Sequence, residues 1–186
     1  MSYIDKTLIF EEDKIYYIDQ DTTLEVMMDW EDSIMKASAD YVCENGGDIL
    51  EIGFGMGMSA GYIQANNINS HTIVESHPQI IEKLNLWAAD KPNVNIVEDD
   101  WYNIKDSLST YDGIFYDTYG EEDWSRFATE LSLFTKLGTK VTWWNNNPEQ
   151  STIHNIDGVE YEAIVVDPPV NSYFNHNVYY LPKKQF

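Results

Sequence analysis

Residues 48–58, Asp-Ile-Leu-Glu-Ile-Gly-Phe-Gly-Met-Gly-Met, decide the fold of this chain. A short apolar run ends in three alternating glycines, Gly53, Gly55 and Gly57, which reads as a buried strand turning sharply into a helix. Glycine suits such a turn because it adopts backbone angles closed to other residues and lets the main chain come close to a ligand. In a doubly wound α/β sheet the first strand-to-helix turn lies just outside the carboxyl ends of the strands, where nucleotide-like ligands bind.

The spacing separates kinds of ligand. A dinucleotide fingerprint, G-x-G-x-x-G, would place its third glycine at residue 58, which is Met58. Glu51 instead precedes the first glycine by two positions and gives E-x-G-x-G-x-G. That pattern resembles the first motif of class I S-adenosylmethionine (SAM) methyltransferases. Their cofactor carries a sulfonium and an ammonium and no pyrophosphate, so an acid at the turn is favourable where a phosphate would be repelled. His71-Thr72-Ile73-Val74-Glu75 reads as the next strand. It ends in a carboxylate about 20 residues beyond the turn, where sites of this type bind ribose hydroxyls.

At 186 residues the chain has the size of one domain with one substantial core. The expected parts are an N-terminal lid and helix over 1–44, a cofactor-binding core over 45–147 and C-terminal strands over 148–186. The start, Met-Ser-Tyr-Ile-Asp-Lys, has no basic region followed by an apolar core, and no segment approaches the ~18 apolar residues of a membrane span. The expectation is a cytoplasmic protein that does not engage a membrane. Cys43 is the single cysteine, and His71, His77, His154 and His176 lack metal-ligand spacing, so no metal is expected. The net charge of −21 would repel a nucleic-acid backbone and attract a small cationic substrate.

Along the chain, Leu8-Ile9-Phe10 and Ile15-Tyr16-Tyr17-Ile18 are strand-like. Thr22-Thr23-Leu24-Glu25 matches a capping box and predicts an amphipathic helix to about residue 44, closed by Asn45-Gly46-Gly47. Met27, Trp30, Ile34, Met35, Ser38, Tyr41 and Val42 would form its apolar stripe, with Glu31 inside it. A carboxylate there is costly unless it meets a cation or a hydrogen-bond donor. Further helices are expected over 58–65, from Pro78 onward and over 121–136 with Trp124, Phe127, Ala128, Leu131 and Phe134 inward. Strands are expected over 94–97, 111–119 and 139–144, the middle one carrying Asp117 at its end. Glu98-Asp99-Asp100-Trp101 puts an acid and an indole at the same sheet edge, suited to an adenine amino group and ring. Two last strands, over 161–166 and 173–181, should be antiparallel neighbours. The expected architecture is Rossmann-like α/β, a mostly parallel seven-stranded sheet with helices on both faces and an antiparallel C-terminal hairpin.

Three stretches together resemble guanidinoacetate N-methyltransferase and its relative, the δ-type protein arginine N-methyltransferase. They are Glu25-Val26-Met27-Met28-Asp29-Trp30-Glu31, Leu50-Glu51-Ile52-Gly53-Phe54-Gly55-Met56 and Asp112-Gly113-Ile114-Phe115-Tyr116-Asp117-Thr118-Tyr119. The resemblance implies that Glu31 and Asp117 hold a guanidino group, with Asp117 as proton acceptor. It further implies that Glu51, Gly53, Gly55, Met56 and Gly57 form the SAM turn and that Glu75 binds its ribose. Met27 and Met35 would line the pocket, Asp100-Trp101 would meet adenine, and the main chain of Asn146 and Asn147 would bind a substrate carboxylate. The implied activity is SAM-dependent N-methylation of a small guanidino or amino compound. The alternatives are methylation of a protein arginine and a catalytically idle SAM-binding or interaction domain.

Overall fold

A computed structural model describes residues 2–120, 123, 125–150, 154 and 156–186. Glu121 and Trp124, the expected start and one inward position of the fifth-strand-side helix, lie outside them.

The seven-stranded sheet has the expected character. In chain order its strands are β4 (Asp48–Ile52), β5 (Ser70–Glu75), β6 (Val94–Glu98), β7 (Gly113–Tyr116), β8 (Lys140–Trp143), β9 (Glu160–Val165) and β10 (Val178–Gln185), arranged β6-β5-β4-β7-β8-β10-β9. The first five are mutually parallel, and β10 runs antiparallel to both β8 and β9. The order reverses beside β4, which makes the end of β4 the topological switch point where such sheets hold ligands.

Helices cover both faces because successive strand residues point to opposite sides. Leu50, Ile52, Ile114, Tyr116, Val141 and Trp143 pack against α5 (Ser125–Glu130) through Phe127, and against Leu131 and Phe134 just beyond it. On the other face Ile49 and Phe115 pack against Ile34, Met35, Ala39 and Val42 of α1 (Asp32–Cys43) and Ile63 of α2 (Met58–Gln64). Ile73 meets Ile80 and Leu84 of α3 (Pro78–Ala88), which starts with Pro78 at its first position and His77 as its cap.

The N-terminal region departs from expectation. Thr22–Met28 is a strand, β3, and the helix begins only at Asp32. β3 pairs antiparallel with β2 (Lys14–Asp19), which pairs with β1 (Ile9–Phe10). Gln20 and Asp21 link β2 and β3 with φ of 47° and 65°, the left-handed pair of a tight hairpin turn. Thr22, Thr23 and Val26 are β-branched and favour a pleated surface, so the hairpin prevails over the local capping pattern. Glu31, not Glu25, makes the reciprocal contact: its carboxylate accepts from Met28 N at 2.8 Å across the 3-10 turn Asp29–Glu31. Met27 and Trp30 therefore lie before the helix.

The glycine turn is as tight as its sequence suggests. Gly53 has φ of +94°, and a Cβ built on it would stand 1.8 Å from the carbonyl oxygen of Asp117. Gly53→Ala is therefore expected to lower stability by about 3 kcal/mol through combined φ strain and backbone displacement, measured by urea unfolding. Stability equal to that of the parent chain would contradict this account of the turn.

Candidate active site

Strand register assembles the acids. Glu51 pairs with Ile73 on β5 and with Phe115 on β7. Glu75 and Asp117 lie two residues farther along those strands, and residues two apart share a face. Asp117 N still donates to Ile52 O at 2.9 Å, so the ladder runs one residue past β7. Glu51, Glu75 and Asp117 thus occupy one face at the carboxyl end of the sheet.

Beside them opens a cavity of about 290 Å³, lined by Met27, Gly53, Gly55, Glu75, Asp100, Trp101 and Asp117 among others. Glu75 accepts main-chain hydrogen bonds from Phe54 (3.0 Å), Ser76 (2.8 Å) and His77 (2.8 Å). A carboxylate has about four acceptor positions, so about one remains for a ligand hydroxyl. Met27 lies against the turn, where Met56 N donates to its sulfur at 3.2 Å, and Gly57 caps α2 with φ of +76°. Asp100 caps α4 (Trp101–Ile104) by accepting from Tyr102 N at 2.8 Å. Trp101 is buried, edge-on to Tyr116, Phe127 and Phe134, so it forms the wall of the cavity rather than an exposed cover.

Glu31 forms the second part of the site. It is only 3% exposed, and its Oε1 accepts from Met28 N and, at 2.5 Å, from the Tyr173 hydroxyl. Burial, then the charge of Asp117, pushes its carboxyl up to about 8. Burial, then Glu51 and Glu75, pushes Asp117 up to about 7. The Tyr173 hydroxyl is raised by burial and then by Glu31, with Asp117 adding to it. The charge of Asp117 therefore reaches Glu31, far from it in sequence, although Glu31 does not itself line the cavity. Trp30 stacks on Tyr173 and Phe174 with ring centres 6.1 and 5.6 Å apart, and Trp144 stands 6.0 Å from Tyr173. The acids are thus backed by an aromatic cluster.

Seven of the residues expected at the site do not line the cavity: Glu31, Met56 and Gly57 stand near it, and Met35, Glu51, Asn146 and Asn147 are engaged elsewhere. Met35 is fully buried on α1 in the core, because helix geometry turns it toward β7 and β10 instead of the cavity. Glu51 is also fully buried; it accepts from the Ser59 hydroxyl, and its Oε2 lies 2.9 Å from His71 Nε2. It sits one step below the cavity and does not line it. The Asn146 side chain accepts from the Trp144 indole, while Asn147 N donates to Asn145 Oδ1 at 3.2 Å, and neither residue lines the cavity. Conversely, sequence reasoning missed Tyr173, Trp144 and Phe174, which carry no motif spacing. It also missed Arg126, the chain's single arginine, which lines the cavity with Asp99 and Asp100.

The residues fit a cationic nucleoside-like cofactor. Gly53 and Gly55 bring bare main chain to the lining at positions where a Cβ would strike the Asp117 carbonyl and the Met27 sulfur, and the lining holds the carboxylates of Glu75, Asp99, Asp100 and Asp117 against one guanidinium. That donor set suits hydroxyls and positive charge and disfavours phosphate.

Comparison with known proteins gives a family and a fold. The family model "Guanidinoacetate N-methyltransferase" matches residues 5–140. Proteins named protein arginine N-methyltransferase 2 are 36% identical over 127 residues in Yarrowia lipolytica (59% of this chain, 26% of that protein). In Candida glabrata the identity is 38% over 130 residues (64% and 31%), and in Aspergillus oryzae 36% over 137 (69% and 32%). This chain spans about a third or less of the length of these relatives. Among solved structures, spermidine synthase from Thermotoga maritima matches with a TM-score of 0.65 at 9% identity, covering 96% of this chain and 72% of that one. The N-methyltransferase NodS from Bradyrhizobium japonicum matches at 0.62 and 12% identity, covering 83% and 94%. Identities this low establish the fold alone.

The raised carboxyls make a stability prediction. A carboxyl whose folded value exceeds its unfolded one keeps a proton in the folded state that the unfolded chain has released, so stability falls as pH rises between the two values. For Glu31 that window runs from 4.5 to about 8. Glu31→Gln is expected to match the parent Tm near the acid end of the window and to exceed it at the alkaline end. A Tm difference independent of pH would contradict the buried, strained state of Glu31.

Proposed function

This chain belongs to the guanidinoacetate N-methyltransferase family, and from that premise we propose that it transfers the methyl group of SAM to a guanidino nitrogen, with a protein arginine side chain as acceptor. The observation that carries the reading is the pair of acids, buried Glu31 and half-buried Asp117, with the charge of Asp117 acting on Glu31 near the glycine turn. Two carboxylates raised in this way are poorly satisfied by the protein alone and become stable as anions once a cation sits between them. A catalytically idle binding domain has no use for that strain.

Residues 53–57, Glu75 and Asp100 would hold the cofactor. When bound, SAM supplies a methyl group on a sulfonium that is already a good leaving group. The protein's task is to align and deprotonate. A guanidinium holds its proton to above about pH 12 and delocalises its lone pairs, so it is a poor nucleophile. Glu31 and Asp117 would grip it in a fork, and Asp117 would accept one N–H proton as that nitrogen forms its bond to carbon. The sulfonium would leave as a neutral thioether, and with its proton passed to Asp117 the methylated guanidinium would keep a single positive charge.

The names of the relatives support an arginine side chain, and so does the aromatic cluster of Trp30, Trp144 and Tyr173, which offers apolar walls to an alkyl stem. A small guanidino compound, the acceptor implied by the motif resemblance, is the second reading, supported by the family model's own name. The groups that act on Glu31 are Asp117, Tyr173 and Met28 N, none of them a cation for a free acceptor carboxylate.

Turnover should separate the parts of this reading. Asp117→Asn is expected to lower kcat by about 100-fold or more while leaving SAM affinity nearly intact, and Glu75→Ala to weaken SAM binding by roughly 1–3 kcal/mol in calorimetry. In the parent protein kcat/KM should fall as pH drops through about 8 to about 7, because both acids must be ionised to hold the cation. Acceptors are compared as arginine-containing peptides, free arginine, guanidinoacetate and simple amines, with peptides expected to be best. Full activity in Asp117→Asn, or a best acceptor without positive charge, would end the proposal.

A further inference from the structure

Glu51 carries the acid of the glycine motif, yet it faces away from the cavity into the core. His71 and Glu51 are both fully buried, with Nε2 and Oε2 2.9 Å apart. Gln64 Nε2 lies 3.3 Å from His71 Nδ1, and His71 Nε2 and Glu51 Oε2, although close, make no hydrogen bond with each other. Ser59, a lining residue of the cavity, donates to the other oxygen, Oε1. Register explains the target of this arrangement. His71, Ile73 and Glu75 share one face of β5, and Glu51 lies across from Ile73, while its partner on β7 is Phe115, two residues short of Asp117. The carboxylate is thus clamped one rung beneath the acceptor site and diagonal to it.

We propose that Glu51, held by Ser59 and packed beside His71, is a positioning residue for the acceptor site: a buried carboxylate whose charge makes Asp117 a stronger proton acceptor and draws a cation into the pocket. The consequence for methyl transfer rests on the function proposed above; the coupling between Glu51 and Asp117 does not. After burial, Glu51 is the largest influence raising Asp117, ahead of Glu75. Its charge also reaches the Cys43 thiol, which burial and then Glu51 push up to about 12. The other ionisable groups around Asp117 are Glu31, Tyr173 and Tyr179, and these stay in place in the test that follows.

Carboxyl 13C NMR of the whole chain, titrated without cofactor or acceptor, reads Asp117 directly. In the parent it should titrate at about 7. In Glu51→Gln, with the fold verified by circular dichroism, the midpoint should fall by about one pH unit, because a like charge has been removed with little change of shape. Should that variant not fold, Glu51→Gln with His71→Gln replaces the pair by two amides, and the same fall is expected. Ser59→Ala keeps the charge and should move Asp117 less than Glu51→Gln does. An unmoved Asp117 midpoint in a folded variant lacking the Glu51 charge overturns the proposal. Methyl transfer is assayed in parallel on the parent protein. A lowered midpoint without any transfer would sink the proposed function and leave this coupling standing, and transfer with an unmoved midpoint would do the reverse.

Discussion

The parallel register of β4 against β5 and β7 is the constraint on which the rest depends. It places Glu51, Glu75 and Asp117 on one face with the glycine turn above them, and it leaves no room for a side chain at Gly53, whose Cβ position is filled by the Asp117 carbonyl. Three like charges at neighbouring sheet positions repel, and each is handled differently. Glu75 is compensated by three main-chain N–H groups, and Glu51 by the Ser59 hydroxyl. Asp117 keeps its proton to about 7. The acid with the least compensation from the protein is the one presented to a ligand, as expected where binding energy is drawn from relieving an unfavourable state.

Glu31 enters this field from outside the sheet. Its position depends on the hairpin β2–β3, whose last residues carry the chain over the turn before the helix begins. Met27 rests against Gly55 and Met56, and Glu31 follows within one turn of 3-10 helix. The small N-terminal sheet thus delivers one acid, as the large sheet delivers the others, and Glu31 comes within reach of the Asp117 charge. A helix running from residue 22 would have placed Glu31 by helical phase instead, without the bend that brings its oxygen back to Met28 N.

The mostly parallel sheet, its C-terminal hairpin and the ligand-side turn were legible because apolar runs of strand length alternate with helix-length amphipathic segments, and because the glycine turn has few structural uses. Glu31 was legible as an acid among apolar residues, although the element carrying it was misread: Thr22 to Glu25 satisfies a capping pattern, and only long-range pairing with β2 overrules it. Met35 and Glu51 carry motif identity but turn into the core, since face and rung are fixed by packing and register. Tyr173, Trp144 and Phe174 gather around Glu31 from separate segments by tertiary folding alone, and no local spacing marks them. Asn146 and Asn147 stand at the right strand end, and their side-chain and main-chain groups are engaged within their own loop.

Tyr173 reaches Glu31 from the connection between β9 and β10, a segment that shares no residue with the glycine turn. The aromatic wall beside Glu31 and the glycine floor are therefore written in separate stretches of chain, joined where the Tyr173 phenol meets Glu31 and where Trp30 stacks on Tyr173 and Phe174. Such a division lets heritable variation act on the two halves unequally. Substitutions over 166–177 can reshape what enters beside Glu31 while the turn over 53–57 is left as it is, so a lineage can exchange one methyl acceptor for another without rebuilding the machinery that handles the donor.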